Sequence, residues 1–393
     1  MSSLKRIGRL ALLLLASALW IACASPPIWA AGQWLPGDMH SHISPPDVPP
    51  DYKHAKNNLE GAIAAARQAG LKWVVITPHA MDRQDEKTGR LWAVEMEAQL
   101  AKRQARTGDP LVVLGWEMTM RWPGHMTVSF VDPAKVAPLP LEKVLEATAA
   151  ERGLAIAAHP FQLPGLLTPY DASWRPWTAG PKGQQFDPWL TGLEIRHPAS
   201  PAATACEHWD DWIGRERRRI IGVGATDDHW GLLYATTWVF VDGDLTREKL
   251  HQALLGGRIV VGSEPSAGSL GATSDRKDDS GKTLEGAVGD DLAADEAVEL
   301  NWTGKARLFI DGALQQADEA PFSHRFAKGT FHWYRLEVGI KSYGNPIYVN
   351  LPAAAKPKPL PSSATAPAEA RDTEAEKSPP TYGKDRPAPP KGK

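Results

Sequence analysis

Cysteine is nearly missing: the 393-residue chain has two, Cys23 and Cys206. The first lies in what reads as a leader, so no intrachain disulfide is expected in the mature chain, and the fold must be held by its core or by metal. An excess of one charge is also missing. Lys plus Arg number 44, Asp plus Glu 46, and the net charge is -2. That balance gives no reason to expect a nucleic-acid polymer as partner. No apolar run reaches the ~20 residues of a membrane span. No G-x-S-x-G elbow occurs, which excludes that class of serine hydrolase. No P-loop occurs either, and "GVGATDDH" has G-x-G without the next glycine of a dinucleotide fingerprint.

The N-terminus carries Lys5, Arg6 and Arg9, then an apolar run from Leu10 to Ala22, then small residues and prolines. This pattern reads as a signal peptide over 1–31 and predicts a periplasmic or secreted protein. Cys23 raises a lipid anchor as the alternative, but the preceding Trp20, Ile21 and Ala22 fit a lipoprotein triplet poorly.

From 32 to about 270, short apolar strands alternate with amphipathic helices. Strands are expected at 71–79, 110–118, 125–131, 154–160, 190–197 and 220–229. Helices are expected at 59–70, 91–109, 141–153, 206–218 and 245–258. His79, Glu117, His159, Glu194 and Asp227 all fall at the C-terminal ends of apolar strands. In a barrel such ends converge on one mouth, so an α/β barrel is expected rather than an open sheet. Strand-like segments over 271–351 suggest a small antiparallel β domain. Residues 352–393 hold ten prolines and read as a disordered tail.

The stretch "DMHSH" puts His40 and His42 on one face of an extended chain, about 7 Å apart. Asp38 precedes them and could orient an imidazole by its outer nitrogen. Asp227 and His229 repeat the i, i+2 spacing. A carboxylate as deep in an apolar strand as Glu117 must be paired, protonated or metal-bound. Singly, each residue could merely end a strand. Together they make six strand starts or ends bearing metal-capable groups, and mixed His and carboxylate donors suit Zn, Mn or Fe(II). So many donors imply two or three divalent ions.

The segments "DMHSHISPPD", "ITPHA", "GWEMTMRWPGHMTV", "AAHP" and "GATDDH" resemble, in order, those of the PHP superfamily of metal-dependent phosphoesterases, in its carbaryl-hydrolase-like branch. The resemblance covers about residues 34–265 and implies a distorted (β/α)7 barrel. It implies as metal ligands His40, His42, Asp47, His79, Glu117, His125, His159, Asp227 and His229. Glu117 would bridge two ions. His40, His42 and Asp227 would complete one shell, His125 and His159 a second, and Asp47, His79 and His229 a third.

The chemistry expected is hydrolysis of a small phosphomonoester or phosphodiester by a metal-bridging hydroxide. His229 or His197 would protonate the leaving oxygen, and Arg121 or Arg196 would clamp a phosphate. Trp122 and Trp230 would wall the mouth. The alternative is hydrolysis of an uncharged ester, carbamate or amide in the same site. The oligomeric state is left open.

Overall fold

The computed structural model describes residues 32–47, 55–79, 81, 83–85, 87–119, 124–160, 187–198, 202–315 and 319–353. The leader and nearly all of the proline-rich tail lie outside these residues. No helix among the described residues is long and apolar enough to cross a membrane.

Nine strands build the main body: β1 (Gly32–Asp38), β2 (Trp73–Ile76), β3 (Leu111–Met118), β4 (Met126–Ser129), β5 (Leu154–Ala157), β6 (Gly192–Arg196), β7 (Ile221–Gly224), β8 (Thr237–Asp242) and β9 (Ile259–Gly262). The helices are α1 (Leu59–Gln68), α2 (Trp92–Lys102), α3 (Pro133–Val136), α4 (Leu141–Ala150), α5 (Ala202–Glu216) and α6 (Arg247–Leu255). Strands β2, β5 and β7 are buried at every position. Their unbroken apolar composition is that of sheet strands covered on both faces. Local signals set the helix ends. The Asn58 side chain accepts from Gly61 N–H at 2.9 Å at the start of α1, as an N-cap should. Gly70, at φ 75°, turns the chain out of α1 while Leu71 N–H reaches back to Ala66 O at 3.0 Å. A side chain there would strain the left-handed backbone.

Strands β1, β2 and β3 pair in parallel, as do β5, β6 and β7. Strand β4 is antiparallel to both its neighbours. The connection from β3 to β4 spans residues 119–125, too short for the crossover a parallel neighbour requires. Because β4 runs backwards, its start lies at the same end as the C-termini of the parallel strands.

The expected distorted (β/α)7 barrel is corrected here: the sheet is a curled, open one. Strands β8 and β9 pair antiparallel beyond β1, so β1 has a partner on its free side and no ladder joins it to β7. Side chains cross the seam instead. Thr237 Oγ1 accepts from Gly224 N–H at 2.8 Å and donates to Gly224 O at 2.9 Å. The Asn345 amide accepts from Gly222 N–H at 2.9 Å and donates to Gly222 O at 2.8 Å. One parallel bridge, Ser41 to Asp228, closes the curl at the mouth.

The C-terminal strands divide between two sheets. β10 (Gly271–Lys277), β11 (Thr283–Ala287), β13 (Ala297–Asn301) and β16 (Phe322–Arg325) form a separate four-stranded antiparallel sheet. β12 (Asp291–Leu292), β17 (His332–Val338), β18 (Ser342–Gly344) and β19 (Ile347–Val349) instead continue the main sheet past β9. The short β14 (Arg307–Ile310) and β15 (Ala313–Leu314) branch from β17. A second apolar core, including Val260, Leu270, Leu300, Leu308 and Leu336, lies under these strands.

Candidate metal centre

The mouth collects side chains from strands β1 to β7 and the loops beside them. His40 and His42 leave β1, His79 follows β2, Glu117 stands in β3 and His125 precedes β4. His159 follows β5, Glu194 stands in β6, His197 follows it, and Asp227 and His229 follow β7. Two of these residues have left-handed backbones, His159 at φ 29° and Asp227 at φ 49°. Such conformations cost roughly 1–3 kcal/mol each and persist only where their surroundings hold them.

Glu117 lies at the centre. Its Oε1 is 2.7 Å from His125 Nδ1 and 3.1 Å from His159 Nε2. Its Oε2 is 3.1 Å from His79 Nδ1, 3.4 Å from His40 Nε2 and 3.5 Å from His42 Nε2. Asp227 Oδ1 lies 2.9 Å from His42 Nε2 and 3.6 Å from His40 Nε2, and its Oδ2 lies 3.4 Å from His197 Nε2. Three groups suited to a cation result: His40, His42, Glu117 and Asp227; Glu117, His125 and His159; and His42, Asp47, His79 and His229. Within each group the donor atoms lie within 4.8 Å of one another.

The donors fit divalent ions. His40 Nδ1 is held by Glu194 Oε1 at 2.8 Å and His42 Nδ1 by Asp47 Oδ2 at 2.7 Å. Each carboxylate accepts the Nδ1 proton, which turns both Nε2 lone pairs into the cluster, where they meet at 3.0 Å. Two lone pairs so close repel unless a proton or a cation lies between them. Asp47 Oδ1 and His159 Nδ1 are buried without a hydrogen-bond partner among the described residues, a cost that a ligand would remove. His229 Nδ1 donates to the Asp227 carbonyl at 3.0 Å, leaving its Nε2 as the donor atom.

Electrostatics follow from burial and mutual approach. Burial opposes charge on Glu117, yet His79, His125 and His40 hold its carboxyl well below the usual range. Asp227 is likewise held well below it, against burial, by His40, His197 and His42. Burial works against a proton on His40, but Glu117, Glu194 and Asp227 push its pKa well up. His42 rises against burial to about 9 through Asp47 and Asp227. His79 is pushed well down by burial, and His229 down by burial and then by the charge on His42.

All nine residues expected as ligands therefore meet at the mouth, and His197 joins them. Arg121 and Trp122 lie outside the described residues. Asp38 does not orient an imidazole. It accepts from Thr226 N–H and Oγ1, Thr236 Oγ1 and His40 N–H at 2.7–3.2 Å, and so ties the start of the mouth to the loop after β7. The imidazole partner is Glu194. The sequence placed Glu194 at a strand end and gave it no role in the site; its contacts, to His40 and to His159 N–H at 2.6 Å, have no local sequence signal. Asp228 accepts from the N–H groups of Trp230, Gly231 and Leu232 at 2.8–2.9 Å. That fixes a rim on which Trp230 (53% exposed), Leu232 (71%) and Tyr234 (46%) face solvent.

No known family profile and no curated protein matches the chain. Several solved structures are similar to part of it, three of them as follows. One is Endonuclease Q in complex with a 27-mer duplex substrate that has an abasic lesion at the active site (TM-score 0.35, 14% identity, 57% of each chain covered). Another is PsfC from Pseudomonas syringae PB-5123 (TM-score 0.37, 14% identity, 57% of this chain and 88% of that one). The third is the lesion-specific endonuclease PfuEndoQ from Pyrococcus furiosus (TM-score 0.36, 15% identity, 62% of each). The chain thus spans about 57–62% of the length of the two endonucleases. The expectation that excludes a nucleic-acid polymer as partner is withdrawn. Its physical flaw is that net charge averages over the whole surface, whereas a phosphodiester is met by the local field of one mouth.

Proposed function

We propose that the protein is a metal-dependent hydrolase of a phosphate ester. The observation that carries the reading is Glu117, whose two oxygens face different histidine sets at 2.7–3.5 Å, the arrangement required of a carboxylate shared by two cations. Bound divalent ions supply Lewis acidity and an activated water, and they neutralise charge on a transferring phosphoryl group. His40, His42 and Asp227 would hold one ion with Glu117, His125 and His159 a second, and Asp47, His79 and His229 a third.

The chain's own residues prepare the rest. Glu194 and Asp47 fix the His40 and His42 rings with their Nε2 atoms inward. His197 Nε2 approaches the outer oxygen of Asp227 and would hold that carboxylate in place; a proton on this ring would be within reach of a leaving oxygen. Arg196, at the end of β6, has a buried Nη1 with no hydrogen-bond partner among the described residues. A cation kept this way suits an anionic substrate group. Export, directed by residues 1–31, belongs to the same reading and rests on sequence alone.

The second reading, an uncharged ester, carbamate or amide, draws on the exposed apolar rim of Trp230, Leu232 and Tyr234, which would shelter an apolar substrate group. Elemental analysis of the purified protein tests both readings when combined with a screen of phosphate monoesters, phosphodiesters (small and within oligonucleotides), aryl esters and carbamates. Phosphate-ester cleavage abolished by chelation, and weakened by Arg196→Ala, supports the first. Cleavage of uncharged esters alone, indifferent to Arg196→Ala, supports the second. Protein without affinity for any transition metal rules out both.

A further inference from the structure

We infer that Glu194 is a positioning residue that sets two of the three cation groups at once. The inference rests on the metal-centre reading and goes beyond it by naming what couples the groups. Glu194 is buried in β6. One oxygen accepts from His40 Nδ1 at 2.8 Å and the other from the His159 backbone N–H at 2.6 Å. The two bonds do different work. The first fixes the His40 tautomer, so that Nε2 presents its lone pair toward Glu117 and Asp227. The second is a charge-assisted bond to the backbone of a residue in the left-handed region, φ 29°, and it holds that backbone where the ring reaches Glu117 Oε1 at 3.1 Å.

His40 belongs to the group containing His42, Glu117 and Asp227, and His159 to the group containing Glu117 and His125. These two groups already share Glu117. Glu194 supports them from the opposite side, so one carboxylate in front and one behind keep the pair in register. The third group, His42, Asp47, His79 and His229, has no hydrogen bond to Glu194 among the described residues.

That asymmetry makes the role testable without an activity assay. Glu194→Gln keeps the size but must turn its NH2 toward either the His40 Nδ1–H or the His159 N–H, two donors face to face. Full-length wild type and variant, stripped by chelation, are titrated with zinc by calorimetry. Stoichiometry is then measured by elemental analysis, and absorption spectra of the cobalt-loaded forms are compared. The expected result is an affinity loss of about 10–100-fold at two ions, the range typical of groups that support metal-ligating histidines. The third ion should be retained at wild-type affinity, and two cobalt environments should change. Equal weakening of every ion, accompanied by a lower melting midpoint of the stripped protein, would show a merely structural role and overturn the inference. So would unchanged binding of all ions.

If the Gln variant fails to fold, Glu194→Asp serves instead. Its shorter side chain reaches only one partner, so one of the two affected ions should weaken; unchanged or uniform binding would overturn the inference here too. Wild type that binds zinc but cleaves no phosphate ester would sink the proposed activity and leave this inference standing. Wild type that takes up no zinc would sink both.

Discussion

His40 and His42 point their Nε2 atoms at each other across 3.0 Å, while each Nδ1 is tied to a buried carboxylate. Without a proton or a cation between them, that arrangement is repulsive. The same carboxylates that orient the rings also concentrate negative charge around them. A cation bound among these donors should therefore stabilise the whole protein.

Chelation is expected to lower the melting midpoint. An ion that binds only the folded state, present at a hundred times its dissociation constant, adds about 2.7 kcal/mol of stability. Calorimetry with and without chelator measures the effect. Identical midpoints would remove the metal reading.

Glu117→Ala should abolish hydrolysis and lose at least one ion. The activity loss should be no smaller than the roughly 10–100-fold seen for groups that only support a ligand. Elemental analysis checks the ion count, and full occupancy in the variant would show that Glu117 does not bridge.

Asp210→Ala should destabilise the fold without touching the centre. Asp210 on α5 accepts from Arg335 through both carboxylate oxygens and from Trp333 Nε1 at 3.1 Å. Arg335 is fully buried and also pairs with Glu337. Removing one partner of such a pair costs about 3–5 kcal/mol. Urea unfolding should show that loss, and zinc stoichiometry should match wild type.

Cys206 should be inert in the native state. Burial pushes its thiol up to about 12, so no thiolate is available near neutral pH. In a chain carrying Cys23→Ser, a thiol reagent should react only after unfolding. Below about 9 both states hold the proton; as pH rises from there toward 12, the unfolded chain ionises first, and stability falls. A native thiol that reacts at pH 8 would contradict the burial.

Most of the candidate cluster was legible in the sequence because polar groups at the ends of unbroken apolar strands cost free energy unless something pairs them; Asp47 entered only through the family resemblance. His79, Glu117, His159 and Asp227 stood out for that reason, and the i, i+2 pairs at His40/His42 and Asp227/His229 added a shared face. Partnerships at long range were not legible. Glu194 meets a histidine 154 residues away, and Asp38, placed beside His40 in sequence, spends its oxygens on Thr226 and Thr236 instead. The closure of the sheet was hidden for a related reason. The seam depends on the side chains of Thr237 and Asn345, which carry no strand periodicity.

That seam changes how the C-terminal region should be regarded. Asn345 occupies the place of a missing neighbouring strand for Gly222, and the Tyr348 hydroxyl reaches the backbone of Ile220 at 3.3 Å. Strand β7 carries Asp227 and His229 on its exit. A truncation that stops before Asn345 would therefore unclasp the last staves of the curl and loosen the loop that delivers two donors, even though every donor residue would still be present in the shortened chain.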